Sequence, residues 1–273
     1  MKKAIRILSL VMAVMLAVLC FAGCGAKKEE EKPTIVVGYT IYEPMNYQDA
    51  DGKLVGFDTE LAEKVFANLG YAPSFKLIEW TNKYTDLNSG VIDCIWNGFT
   101  CNSTDDDGIA RADKVDFTYR YMENQQAIVV KKGAGIASAA DLTGKIATAE
   151  AGSAGEGYAK GFEGTTYKGA EKQTDCLMAV NSKTADFAVV DIQLAKSYCG
   201  KGDYADLEIV EALSSDLEYY AIGFKKNSEL TAKVNAELEK LGQEGFLKTL
   251  ADKYGLGNSV VVDFANQKVV DEK

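Results

Sequence analysis

The sequence predicts an α/β protein built as two lobes. Short apolar runs of strand character alternate with segments whose apolar residues recur every three or four positions, the rhythm of sheets covered by helices. These segments fall into two sets of similar size, one of them closed by a pair of helices near the C-terminus. Of 273 residues, 47% are apolar and three are proline, which gives ample core and argues against a disordered chain.

The opening residues read as an address. Lys2, Lys3 and Arg6 precede an almost wholly apolar run over 7–22. That run is short of the ~20 residues a membrane span needs and fits an export signal. Phe21-Ala22-Gly23-Cys24 resembles a bacterial lipobox, with phenylalanine where leucine is commoner. We therefore expect residues 1–23 to be a lipoprotein signal peptide and Cys24 to receive lipid; a plain signal peptide or a membrane anchor are the alternatives. Residues 24–32, small and charged, read as a flexible tether.

The body follows. Residues 34–39 read as a buried strand and Asp51-Gly52 as a turn. Asp58 looks like the N-cap of a helix carrying Leu61, Ala62, Val65, Phe66 and Leu69, stopped by Gly70. Residues 74–79 and 93–97 are strand candidates with a short helix over 83–88 between them. Further strands are expected at 125–131, 145–149, 166–169 and 186–190, with helices near 155–162, 175–181 and 192–198. A single late strand covers 219–225. Ser228 then caps a helix bearing Leu230, Val234, Leu238 and Leu241; Gly242 breaks it, and Phe246, Leu247, Leu250 and Tyr254 mark another. The tail, 258–273, reads as a terminal strand or a loose end. Strands alternating with helices imply parallel sheets, whose ligands lie at the strands' carboxyl ends or between domains.

Composition narrows the chemistry. There is no histidine, which removes Ser–His–Asp and Cys–His catalysis and the commonest transition-metal ligand. Acidic residues outnumber basic ones 40 to 30, so a basic nucleic-acid face is not expected. Cys94, Cys101, Cys176 and Cys199 form no CxxC pair; local disulfides (94–101, 176–199) and buried free thiols both remain open. Asp105-Asp106-Asp107 lacks the spacing of an EF-hand loop and reads as a solvated loop, so no metal and no cofactor are expected.

Several residues could hold a small polar ligand. Asn97, Gly98 and Thr100 follow a strand and offer amide, backbone and hydroxyl groups, though an ordinary loop would look the same. Arg111, beyond an acidic run, reads by itself as a solvated or salt-bridged side chain. Asp191 directly follows an apolar strand, as a helix N-cap, a ligand contact or both. Gly152-Ser153-Ala154-Gly155 is a small-residue turn opening a helix, without P-loop spacing. Among Tyr39, Tyr42, Tyr47, Trp80 and Trp96, one or two should line a site and the rest should be core.

Taken in order, Gly38-Tyr39-Thr40-Ile41-Tyr42-Glu43-Pro44-Met45, Asp51 to Asp58, Asp93 to Thr100, Arg111 with Phe117, Asp141-Leu142-Thr143-Gly144-Lys145, Gly152-Ser153, Asp186 to Asp191 and Tyr220-Ala221-Ile222-Gly223-Phe224 resemble the extracellular solute-binding protein family 3, the polar amino-acid receptors of bacterial ABC importers. The resemblance spans roughly 34–255. It implies a two-lobed periplasmic-binding-protein-like fold with two crossover strands and a ligand cleft, lobe one being 33–121 plus 218–273 and lobe two 122–217. It also implies a monomer, held by its lipid on the outer face of the cell membrane, which passes an amino acid to ABC permease and ATPase subunits.

Roles carried over by that resemblance are these. Tyr42 packs against the ligand side chain. Gly98 and Thr100 receive the α-ammonium, Arg111 clamps the α-carboxylate with help from Ser153 and Ala154, and Asp191 pairs with the ammonium. Glu150 falls at a variable side-chain position, with Glu43 and Glu218 nearby, and suggests a cationic or amide ligand side chain. Departures are an insertion of several residues before Arg111, Met45 in place of an aromatic, a residue missing between Gly38 and Tyr42, and Trp96-Asn97, expected to narrow the pocket. The alternatives are a cleft enzyme of the dehydratase type on the same fold and a ligand sensor that docks a signalling protein; no catalytic residue is assigned.

Overall fold

The computed structural model describes residues 32–264 and 267. The expected signal peptide, the lipid-accepting Cys24 and all of the tether but its last residue lie outside them. Lobe one begins with β1 (Thr34–Tyr39), the small hairpin β2 (Tyr47–Gln48) and β3 (Leu54–Val55), α1 (Phe57–Asn68), β4 (Ala72–Leu77), α2 (Lys83–Ser89), β5 (Cys94–Ile95), α3 (Arg111–Lys114) and β6 (Asp116–Phe117). The chain crosses on β7 (Met122–Asn124) into β8 (Gln126–Lys131), β9 (Ile146–Glu150), α4 (Ala154–Lys160), β10 (Thr166–Ala170), α5 (Gln173–Asn181), β11 (Phe187–Asp191), α6 (Ile192–Tyr198) and β12 (Leu207–Ile209). It returns on β13 (Glu218–Tyr220) to β14 (Gly223–Phe224), α7 (Glu229–Gln243) and α8 (Phe246–Lys253).

Each lobe is a five-stranded sheet, β4-β1-β5-β14-β6 in the first and β10-β9-β11-β8-β12 in the second. Neither is wholly parallel, contrary to the sequence expectation: β14 runs antiparallel to β5 and β6, and β8 antiparallel to β11 and β12. The reason is connectivity. A parallel neighbour needs a long crossover connection, whereas β8 and β14 are fed directly by the crossing strands. Those two, β7 and β13, pair antiparallel with Asn124 opposite Glu218. The expected late strand over 219–225 is therefore two strands, because Ala221 and Ile222 carry the chain from the crossing ribbon into the first sheet.

The apolar periodicity of α1 buries Phe57, Leu61, Ala62, Val65 and Phe66. Asp58 is not its N-cap; Gly56 is. Gly56 has φ 127°, and a Cβ there would lie 2.2 Å from the Met45 carbonyl oxygen, so only glycine starts this helix. Asp58, the second residue of the helix, instead points into the core. Ser228 caps α7 as expected, accepting from the Leu230 amide at 3.3 Å. Beyond α8 the tail runs beside the crossing ribbon, with Val260 bridging Met122 and Phe264 stacked on Tyr119. All four described cysteines are free thiols, three buried and Cys199 half-buried. Among the described residues no helix is long and apolar enough to cross a membrane.

Candidate ligand-binding cleft

A narrow cleft lies between the two sheets. Lobe one lines it with Trp80, Asn97, Gly98, Thr100 and Arg111, and lobe two with Glu150, Ser153, Ala154, Gln173 and Asp191. Most of these sit where β5, β9 and β11 end, so loops at the strands' carboxyl ends build the walls, as α/β geometry favours.

Arg111 opens the short helix α3 and is almost fully buried. Its Nε donates to Asp105 Oδ1 at 2.8 Å, its Nη1 to the Thr100 carbonyl at 3.2 Å and its Nη2 to the Gly152 carbonyl at 3.2 Å. One N–H on each η nitrogen is left over, which suits an incoming carboxylate. The Phe99 ring supports the guanidinium from 5.2 Å. Burial alone would raise Asp105, but the Arg111 charge and hydrogen bonds from Lys114, Tyr84 and Arg111 outweigh it and hold Asp105 at about 2.

The insertion is thus an ordered hairpin, closed by the Thr104–Ala110 bridge, rather than a loosely solvated loop. Its three acids are all paired: Asp105 takes Arg111 and Lys114, Asp107 shares Lys114, and Asp106 takes Lys160.

Asp191 ends β11 at the N-cap position of α6, yet makes no capping hydrogen bond with its side chain. Its Oδ1 accepts from Asn124 Nδ2 at 2.6 Å and Gln126 Nε2 at 2.7 Å, and Gln173 Nε2 donates to Oδ2. The same two donors also reach Glu218 Oε1, Gln126 at 2.8 Å, and Thr100 Oγ1 adds a third bond there at 3.0 Å. Two acids sharing the same two amide donors cannot both ionise cheaply. Burial, opposed by the amide donors, raises Asp191, and burial with the Asp191 charge lifts Glu218 to about 7.

Glu150 closes β9 and is 4% exposed, with no described hydrogen bond to its carboxyl group. Burial first, then the Asp191 charge, push it to about 8, against the pull of Lys83 and Arg111. Lys83 donates to the Gly152 carbonyl at 3.0 Å, so with Arg111 it ties lobe one to lobe two at one oxygen. Ser153 is the N-cap of α4, its Oγ accepting from the Glu156 amide at 3.1 Å.

Two expected contacts do not face the cavity. Trp96 shares a sheet face with Cys94, because side chains alternate along β5; its ring packs edge-on against Phe66 at 5.7 Å under α1, so it cannot narrow the pocket. Tyr42 is buried behind Gly98, with its hydroxyl 2.7 Å from that of Tyr220. Gly98 has φ 56°, and a Cβ there would meet the Tyr42 ring at 2.6 Å. The aromatic wall is Trp80, packed edge-on against Phe99 at 5.4 Å. Asn97 lines the cavity, but its amide is spent on Thr40 and Asn46. Gln173 had no sequence signal beyond its place at the start of a helix, and Lys83 read only as the start of a short one.

Residues 35–257 match the family profile of bacterial extracellular solute-binding proteins, family 3. The chain is 28% identical to the arginine-binding extracellular protein ArtP of Bacillus subtilis (strain 168), over 86% of this chain and 92% of that one. It is 27% identical to the L-cystine-binding protein TcyA of the same organism, over 93% and 97% of the two chains. Among solved structures, an ancestral arginine-binding protein bound to arginine superposes with a TM-score of 0.75 at 32% identity, over 82% of this chain and 99% of that one.

Proposed function

Because this chain belongs to the bacterial extracellular solute-binding proteins, family 3, we propose that it is the receptor of an ABC importer for a polar amino acid. The observation that carries the reading is a pair of opposite charges facing one cavity from opposite lobes. Arg111 in lobe one keeps two N–H groups for an α-carboxylate, and Asp191 in lobe two is an acid for an α-ammonium. A zwitterion satisfies both only when the lobes close, and closure excludes the water that would compete. We take the lobes as 33–121 plus 218–273 and 122–217, hinged on β7 and β13. Thr100, Gly98 and Ser153 complete the two ends, and Glu150 with Gln173 face the side chain, which we assign as cationic or amide.

The remainder of the reading concerns the N-terminus. Cleavage before Cys24 and lipidation there would hold a monomeric receptor on the outer face of the cell membrane, beside its permease. Mass spectrometry of the membrane-extracted protein tests this: an N-terminus at Cys24 carrying the added mass of a lipid is expected, and an uncleaved or unlipidated N-terminus would overturn it.

We assign no turnover. Glu150 is a buried acid raised to about 8 by burial and the Asp191 charge, and the opposite charges of Arg111 and Asp191 around the same cavity suit binding. The test of function is thermal melting of refolded residues 25–273 against a panel of amino acids. A true ligand at ~100 times its Kd adds about 2.7 kcal/mol, a shift of several degrees. Silence across all amino acids, or conversion of a cyclohexadienyl acid, would sink the receptor reading.

A further inference from the structure

Asp191 ends β11 and Glu218 opens β13, and the same two amides bridge them. Asn124 Nδ2 and Gln126 Nε2 each donate to Asp191 Oδ1 and to Glu218 Oε1, so both hydrogens of each amide are spent on the pair. Gln173 adds a bond to Asp191, and Thr100 adds one to Glu218. Every one of these donors is neutral, and among the described residues neither acid forms an ion pair. Both are buried, Asp191 7% and Glu218 8% exposed. Two buried carboxylates on shared donors, with no cation of the chain's own, keep a proton between them. The zwitterion reading uses only Asp191. Glu218 does not line the cavity, but Thr100 does. The one hydrogen of the Thr100 hydroxyl goes to Glu218, which leaves the oxygen lone pairs for an ammonium.

We propose that Glu218 is a positioning residue of the ammonium end: it aims the Thr100 hydroxyl and holds, with Asp191, a shared proton that leaves when the ammonium of an amino acid binds. The inference rests on the receptor reading and deepens it. The ammonium supplies the positive charge that the chain itself does not bring to the pair, so both acids can then ionise. The O–H bond of the protonated acid breaks, its electron pair stays on the carboxylate, and the proton passes to the buffer. Burial lifts both acids, and the Asp191 charge helps to bring Glu218 to about 7, so the exchange falls near neutral pH. Other titratable groups act on the pair. Burial raises Tyr42 and Tyr220, which stay phenols, and lifts Cys101 to about 11, where it stays a thiol. Glu150, raised to about 8, shares the cavity with Asp191 and Arg111 and can titrate over the same range. A proton lost on binding means that affinity rises with pH.

The test is calorimetric titration of the mature chain with L-arginine and with L-glutamine, in phosphate and in Tris. The two buffers differ in ionisation enthalpy, so the difference in heat counts protons. Wild type is expected to release roughly half a proton or more near neutral pH, and to bind several-fold more tightly at about pH 8 than at about pH 6. Glu218→Gln keeps the size of the side chain and an acceptor for Thr100 but holds no proton. Its release should fall to about half the wild-type value or less, and its pH profile should flatten. Glu150 is present in both proteins, so its share cancels from the difference. Glu218→Ala serves if the Gln variant does not fold. Proton release and pH profile unchanged from wild type, whatever the loss of affinity, would overturn the proposal and leave Glu218 a structural residue. A wild type that binds neither amino acid would instead overturn the receptor reading, and the role of Glu218 with it.

Discussion

Asp105 holds Arg111 from the side: its Oδ1 accepts the Nε hydrogen at 2.8 Å, so an acid supplied by the inserted hairpin aims the carboxylate clamp. With Nε engaged, the free N–H groups are confined to the η nitrogens. Lysine cannot copy this, since one ammonium has three donors and no planar fork. Arg111→Lys should fold and keep its charge, yet lose roughly 10- to 100-fold in affinity for the cognate amino acid, the scale of charge-assisted bonds worth ~1.5–3 kcal/mol. Calorimetry checks this, and affinity within threefold of wild type would show that the clamp lies elsewhere.

The same carboxylate should mark the acid limb of stability. Asp105 sits at about 2 when folded, below its unfolded value of 3.8. Its contribution is therefore complete above the unfolded value and is lost as pH falls from about 4 towards 2. Asp105→Asn should be less stable than wild type at neutral pH, and the gap should close as the solution is acidified through that window. Urea midpoints of the two proteins at matched pH measure the gap; a constant difference would mean that the ion pairs contribute nothing.

Asp58 predicts the opposite slope. Its Oδ2 accepts from the Gly98 amide at 2.8 Å and the Tyr121 hydroxyl at 2.9 Å, while Oδ1 is buried without a described partner. Burial outweighs those donors and raises the acid to about 7 from 3.8. The folded state then holds a proton that the unfolded state has released, so stability falls as pH rises from about 4 to about 7 and levels off above. Asp58→Asn removes the titration. The melting temperature of the variant, followed across that range, should fall less than that of wild type by a few degrees. Parallel curves would refute a protonated Asp58.

How much of this was legible in the sequence depended on whether a residue's role is local. Arg111, Glu150, Ser153 and Asp191 were picked out by their resemblance, position by position, to the family's ligand contacts, and all four line one cavity. Trp96 was misread although the information was present: alternation along β5 puts it with Cys94 on the face beneath α1. Asp58 looked like a cap because acids favour helix starts, but the positive-φ start at Gly56 moved the helix two residues earlier and turned the acid inward. Lys83 and Gln173 were invisible for another reason. Their partners, Gly152 and Asp191, lie 69 and 18 positions away, and nothing local marks a residue that acts across a cleft or a sheet.

The inserted hairpin should also slow opening of the cleft. Asp106 at its tip pairs with Lys160 on α4, so an ion pair spans the two lobes beside the bond from Arg111 to Gly152. Both side chains are about half exposed, 54% for Asp106 and 41% for Lys160. Such pairs are worth about 0.2–1 kcal/mol and are screened by salt. If closure holds the ligand, loss of the pair should appear in dissociation, since opening must precede release. Lys160→Met should therefore raise the dissociation rate about two- to fivefold in dilute buffer, with little change in association. In concentrated salt the two proteins should converge, because the wild-type pair is screened there as well. Stopped-flow release of the ligand at low and high ionic strength measures both arms. Equal rates in dilute buffer would mean that the hairpin aims Arg111 but does not latch the lobes, and a difference that survives in salt would assign the effect to lost packing of the lysine stem rather than to its charge.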